Sequence, residues 1–225
     1  MKQLLTFGLI FTMATSGLLF TACEGEDGEP GAIGDKGDKG DTGDTGANGV
    51  GFDEATQYGN VVVRYKGTRI DDVAFDQTVD FKFSPIGPDV TYTSSVWEYE
   101  SEGGETETDF DITRYNSAII SPSEGSNSYI DIDYDRYSNG GDYLQFNTYV
   151  AIISSDRKFF RLNQYFGLDA SEAVTEYNFN SATGELKFKF HALVPANDEY
   201  NRTGHEIDIT ADVNVKVFTS LDSGE

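Results

Sequence analysis

From Phe52 onward, apolar and polar residues alternate with a period of two, in runs rich in Val, Ile, Tyr, Phe and Thr. That period marks strands with one buried face. It predicts strands at 60–66, 78–84, 90–101, 105–115, 128–135, 143–154, 158–165, 175–180, 185–192 and 206–218. No convincing helical stripe interrupts them, although 168–174 has room for a single short turn. Turn residues separate the runs: Pro85-Ile86-Gly87-Pro88, Gly103-Gly104, Asn139-Gly140-Gly141, Ser155-Asp156 and Asn180 to Gly184. About ten strands at this spacing predict an all-β domain over 52–225, an antiparallel sandwich or a barrel-like fold.

One hairpin is legible residue by residue. A two-residue turn at Gly103-Gly104 pairs Glu102 with Glu105, Glu100 with Glu107, and Glu98 with Asp109. It sets Trp97 opposite Phe110 and Tyr99 opposite Thr108. Six carboxylates then share one face and Trp97, Tyr99 and Phe110 the other. Directly opposed like charges destabilise a sheet, so such a face must be solvated or meet cations or a basic partner. A second acidic run, Asp131, Asp133 and Asp135 with Asn139 and Asp142 after it, has part of the spacing of a twelve-residue calcium loop. Arg136 stands where that loop needs glycine, and no glutamate closes it. The alternation instead predicts these aspartates on the outward face of a strand, with Ile130, Ile132 and Tyr134 inward. Asp131, Asp133, Asp135 and Asp142 remain the calcium candidates.

Charge narrows the partners. The chain carries 39 acidic against 16 basic residues, a formal charge of -23, which repels nucleic acid and anionic headgroups. His191 lies in an alternating run and His205 after a polar turn, without metal-ligand spacing. No nucleophile elbow accompanies the serines, so no catalytic group is expected. Thirteen tyrosines and one tryptophan fit sheet packing, and also fit stacking on sugar rings.

The N-terminal 51 residues read differently. Lys2, an apolar run over 4–20 and Leu19-Phe20-Thr21-Ala22-Cys23 have the layout of a cleaved export signal, too short and wrongly flanked for a membrane span. Cys23 is the only cysteine, which leaves no intrachain disulfide and no cysteine-based zinc cluster. Glycine then recurs at every third position: Gly25, Gly28, Gly31, Gly34, Gly37, Gly40, Gly43, Gly46 and Gly49. Flexible linkers are glycine-rich without such register. A collagen triple helix requires it, because only a hydrogen atom fits at its axis. Pro30 is the tract's one proline, and Lys36-Gly37-Asp38 and Lys39-Gly40-Asp41 offer ion pairs between chains. The tract reads as a triple-helical stalk or as an acidic spacer, and as either it reaches at most roughly 80 Å.

Leu-Phe-Thr-Ala-Cys resembles a bacterial lipobox, and residues 23–51 resemble the tract of collagen-like lipoproteins of Gram-negative bacteria. The resemblance implies cleavage after Ala22, diacylglycerol on Cys23 and attachment to the outer membrane without a spanning helix. Glu24, Glu26, Asp27 and Glu29 resemble the surface-export signal of Bacteroidetes-type lipoproteins, which implies display on the cell surface. The expected organisation is a signal peptide at 1–22, a lipid anchor and collagen-like stalk at 23–51, and a β domain at 52–225. If the tract forms a triple helix the protein is a homotrimer through it, and the expected role is structural or adhesive. No cofactor is expected beyond the covalent lipid on Cys23; the alternative is a glycan- or nutrient-binding surface lipoprotein, for which calcium is the candidate ion.

Overall fold

The computed structural model describes residues 52–84, 94–100, 103–118 and 128–219, all within the unit Ala47–Glu225. The signal segment, Cys23 and the glycines from Gly25 to Gly49 lie outside the described residues. A short helix α1 (Phe52–Thr56) precedes β1 (Gly59–Thr68), β2 (Ala74–Phe81), β3 (Ser94–Glu100), β4 (Thr106–Tyr115) and β5 (Tyr129–Tyr137). After these come β6 (Tyr143–Ile153), β7 (Phe159–Asp169), the single turn α2 (Ala170–Ala173), β8 (Val174–Asn180), β9 (Glu185–Val194), β10 (Ile207–Lys216) and β11 (Phe218–Thr219).

Two sheets form, ordered β2-β1-β10-β9-β8 and β11-β3-β4-β5-β6-β7. Both remain open, so the architecture is a sandwich and not a barrel. Among the described residues every strand pairing is antiparallel except that of β11 with β3. The two-residue β11 escapes detection in the sequence because it continues the apolar run of β10 beyond Val217. The turn expected at 168–174 is α2, capped by Asp169, whose carboxylate accepts from the Ser171 amide at 3.0 Å.

The core is the set of residues that alternation points between the sheets. Val61, Val63, Tyr65, Leu186, Phe188, Phe190, Ile207, Ile209 and Val213 come from the five-stranded sheet. Phe110, Ile112, Ile130, Ile132, Tyr134, Leu144 and Phe146 oppose them. Rings interlock across the gap: Phe146 lies 5.2 Å from Phe190, Tyr134 5.0 Å from Phe188, and Phe110 5.0 Å from Phe179. The buried Tyr65 hydroxyl meets Thr148 Oγ1 at 2.7 Å, which removes an unsatisfied polar group from the core.

Arg114 is fully buried. Its guanidinium donates to the carbonyls of Thr113 at 2.8 Å, Tyr58 at 2.9 Å and Gly59 at 3.4 Å, and to Ser94 Oγ at 2.8 Å. It thereby ties β4 to the start of β1. Gly59 has φ +82°, and a Cβ there would stand 2.1 Å from the Asn214 carbonyl oxygen, so only glycine lets β1 and β10 approach here.

The β3–β4 hairpin corrects the sequence reading. The strands pair Glu100 with Thr106, Glu98 with Thr108, Trp97 with Asp109 and Val96 with Phe110. The connection is five residues long, 101–105, instead of two. A shift of one residue turns every side chain of a strand to the opposite face. Val96 therefore fills the space beside Phe110, where Phe179 already stands, and Trp97 and Tyr99 face outward. Thr106 anchors the longer connection by exchanging bonds with Ser138, its amide donating to Ser138 Oγ at 3.0 Å and its carbonyl accepting from the Ser138 amide at 2.9 Å. Glu98 and Glu100 consequently do not share a face with Glu107 and Asp109.

Candidate functional site: the outer face of the six-stranded sheet

The register that separates those glutamates assembles a different acidic surface. β4 and β5 pair Asp109 with Asp135, Asp111 with Asp133 and Thr113 with Asp131. Ile130, Ile132 and Tyr134 are buried, so Asp131, Asp133 and Asp135 point outward, as their alternation predicts. Following the pairings across the sheet, one row runs Trp97, Asp109, Asp135, Tyr143 and Asp169. The next runs Ser95, Asp111, Asp133, Gln145 and Gly167, and a third runs Thr113, Asp131, Asn147 and Tyr165. The result is a half-buried block of carboxylates with Trp97 and Tyr99 on one side and Tyr143 and Tyr165 on the other.

Crowding changes the acidity of this block. Burial, reinforced by the charges of Asp111 and Asp135, pushes Asp109 up to about 7. Burial, a hydrogen bond with Asp111 and the neighbouring carboxylates push Asp133 up to about 7. Burial also raises Asp131, against the bond it accepts from Thr113 Oγ1 at 2.7 Å. In Asp135, burial outweighs the lowering effect of its hydrogen bond with Asp109. Asp109 and Asp133 therefore keep their protons up to about pH 7, and a protonated carboxyl can donate to the carboxyl opposite, which is how directly opposed acids coexist. Ser95 Oγ donates to Asp111 at 3.0 Å.

The aromatic flank is seated by its neighbours. The Tyr143 ring lies across Gly167, where an added Cβ would fall 1.8 Å from the Tyr143 hydroxyl oxygen. The Tyr165 hydroxyl donates to Gln145 Oε1, and Tyr129 and Tyr149 stack with centroids 6.2 Å apart. Beside Trp97 and Tyr99 a cleft of about 830 Å³ opens between the β3 edge and the β8–β9 turn, with Phe179, Gly184 and Phe218 in its wall.

Asp142 does not join the other calcium candidates. Its carboxylate accepts from Arg136 Nε at 2.8 Å and the Tyr137 amide at 3.1 Å, closing the β5–β6 turn. Arg136 in turn sits 4.0 Å over the Tyr177 ring, between the sheets. Among the described residues no three His, Cys, Asp or Glu side chains converge in a geometry for a metal ion. His191 lies on β9 with Nε2 3.0 Å from Asp208, and His205 lies in the β9–β10 loop with Nε2 3.2 Å from Asp72. The two histidines occupy separate places, each beside a single exposed carboxylate.

Asp111, Gln145 and Asn147 are residues of this face that sequence reading does not gather, and it sets Asp109 opposite Glu98, where the structure has Trp97 and Asp135 as its neighbours. Alternation within each strand marks them as outward, but which carboxylates meet depends on pairings between strands. Comparison with protein-family models, with curated proteins and with solved structures finds no match to this chain.

Proposed function

We propose that this chain is a lipid-anchored cell-surface protein in which the β-sandwich is a contact module of structural or adhesive role. Cys23 carries the lipid, and the glycine tract acts as the stalk and draws three chains together. The outer face of the six-stranded sheet is the surface presented to a partner. One observation carries the reading: Asp109, Asp111, Asp133 and Asp135 are opposed in pairs between exposed aromatic side chains, an arrangement unfavourable to folding alone. Local rules of this kind are broken mainly where a surface is used for something else. Proton-sharing carboxyls fit a partner that brings cations or hydrogen-bond donors, and the flanking rings supply apolar contact. The reading assigns no catalytic step.

The test uses beads coated with the full chain on an array of basic and neutral peptides. A variant with Asp109, Asp111, Asp133 and Asp135 all changed to Asn is compared with one losing the same charge through Glu172, Glu185, Glu206 and Asp212. Loss of retention confined to the first variant supports the reading, and equal loss in both reduces the effect to net charge. Loss of palmitate labelling in Cys23→Ala tests the anchor.

A second reading, glycan capture by the same face, is favoured by the row in which Trp97 and Tyr143 flank Asp109 and Asp135. Retention on a glycan array that disappears in Trp97→Ala selects it.

A further inference from the structure

At the opposite edge of the six-stranded sheet the chain gathers arginine side chains. A pocket of about 260 Å³ is lined by Arg69 and Ile70 from the β1–β2 loop, by residues 160–163 of β7, and by Tyr200, Arg202 and Thr203 from the β9–β10 loop. Three of the seven arginines in this strongly acidic chain are in its wall. Independently of the sheet-face reading, we infer that this pocket binds a carboxylate-bearing, single-ring sugar of the uronic-acid class.

The pocket is preformed. Arg69 is fixed by Asp71, by Asp156 at 3.1 Å and by Ser154 Oγ at 2.6 Å, so its charge is already met and it serves as a wall. In the β9–β10 loop, Asn201 Nδ2 donates to the carbonyls of Pro195 at 2.9 Å and His205 at 2.8 Å, and Asn201 Oδ1 meets Thr203 Oγ1 at 2.7 Å. Asp198 accepts from the Tyr200 amide and from Gln164 Nε2, both at 2.9 Å, which docks this loop onto β7. The Tyr200 ring is held edge-on to Tyr165 with centroids 5.6 Å apart. Walls held in this way lose little ordering entropy on binding, which leaves the Arg202 side chain as the part that must order.

The lining chemistry selects the ligand. Arg202 is exposed, with neither an ion pair nor a hydrogen bond to another described residue. Its planar fork matches a carboxylate in bidentate fashion. Arg161, whose guanidinium stands 5.2 Å over the Tyr149 ring, adds positive potential at the rim. Ile70, 76 % exposed, together with Phe160 and Tyr200 offers an apolar surface for a ring face.

Hydroxyl groups find partners along the edge strand. The Ser154 amide bonds the Lys158 carbonyl at 2.9 Å, and bonded pairs alternate from there along β6 and β7. The backbone of Asn163 therefore turns away from β6, beside its amide side chain. The volume takes one ring and not a chain, so the unit recognised is a single residue, free or at the end of a polymer.

The test titrates glucuronate, galacturonate, glucose, acetate and benzoate into the full-length chain in detergent, read by saturation-transfer NMR and calorimetry. The expected result is saturable binding of at least one uronate, about tenfold tighter than glucose and acetate. It should weaken about tenfold or more in Arg202→Ala, recover in part in Arg202→Lys, and persist in Lys187→Ala, a charge control at the end of β9 away from the β9–β10 loop. An unchanged melting temperature of Arg202→Ala verifies its fold. Absence of uronate saturation overturns the proposal, as do equal affinity for glucose or acetate, tighter binding of benzoate, or equal weakening by Lys187→Ala.

Discussion

Replacing Asp109 and Asp133 together by Asn should make the protein more stable at mildly alkaline pH and flatten its pH dependence. Both carboxyls are held at about 7 in the folded protein, against about 3.9 in an unfolded chain. A folded-state value above the unfolded one means that the folded form binds more protons within that window. The stabilisation is complete below about pH 4 and is lost as pH rises through about 7. Taken whole, the shift corresponds to about 4 kcal/mol for each group. Both side chains are half-buried and screened by water, so about 1 kcal/mol each, or about 2 kcal/mol together, is the figure to expect. For a domain of this length that corresponds to a fall in Tm of about 4–8 °C between pH 5 and pH 8.5. Asp71, Asp76, Asp156 and Asp169 are shifted the other way by their partners. Their stabilisation is present above about pH 4 and disappears only in acid, outside the window. Calorimetric melts of wild type and the double Asn variant from pH 5 to 8.5 provide the assay. A wild-type Tm that holds steady or rises over this range, or a double variant with the same slope, refutes the proton-sharing account.

Further perturbations test the scaffold. Arg114→Ala should cost at least about 3 kcal/mol in urea unfolding, since it strands several buried carbonyls and opens a cavity. Gly59→Ala should cost about 2 kcal/mol or more through its left-handed backbone and the clash with the Asn214 carbonyl, read as a lower urea midpoint at unchanged m. Gly167→Ala should cost about 1–2 kcal/mol by unseating the Tyr143 ring. In a Tyr143→Ala background the same change should cost much less, and additive costs would show that the ring does not rest on that glycine.

The alternation of the chain by itself determined the all-β class, the approximate span of most strands, the outward face of Asp131, Asp133 and Asp135, and the inward face of Ile130, Ile132 and Tyr134. These follow from a period of two, a local property that survives any choice of neighbour. The Gly-X-Y register is equally local. Tertiary structure alone decided the rest. Gly103-Gly104 suggested a two-residue turn, but the space beside Phe110, already shared with Phe179 from the other sheet, takes Val96 and sends Trp97 outward. Asp109 meets Asp135, and Asp111 meets Asp133, because β4 and β5 close a long connection whose pairing no single strand encodes. Arg69, Arg161 and Arg202 are distant in sequence and reach one pocket only because β7 ends the six-stranded sheet where two loops of the other sheet fold over it. Side-chain direction is written locally by the backbone repeat; which faces and edges meet is set by long-range packing, where the fit of the core outweighs the preference of any one turn.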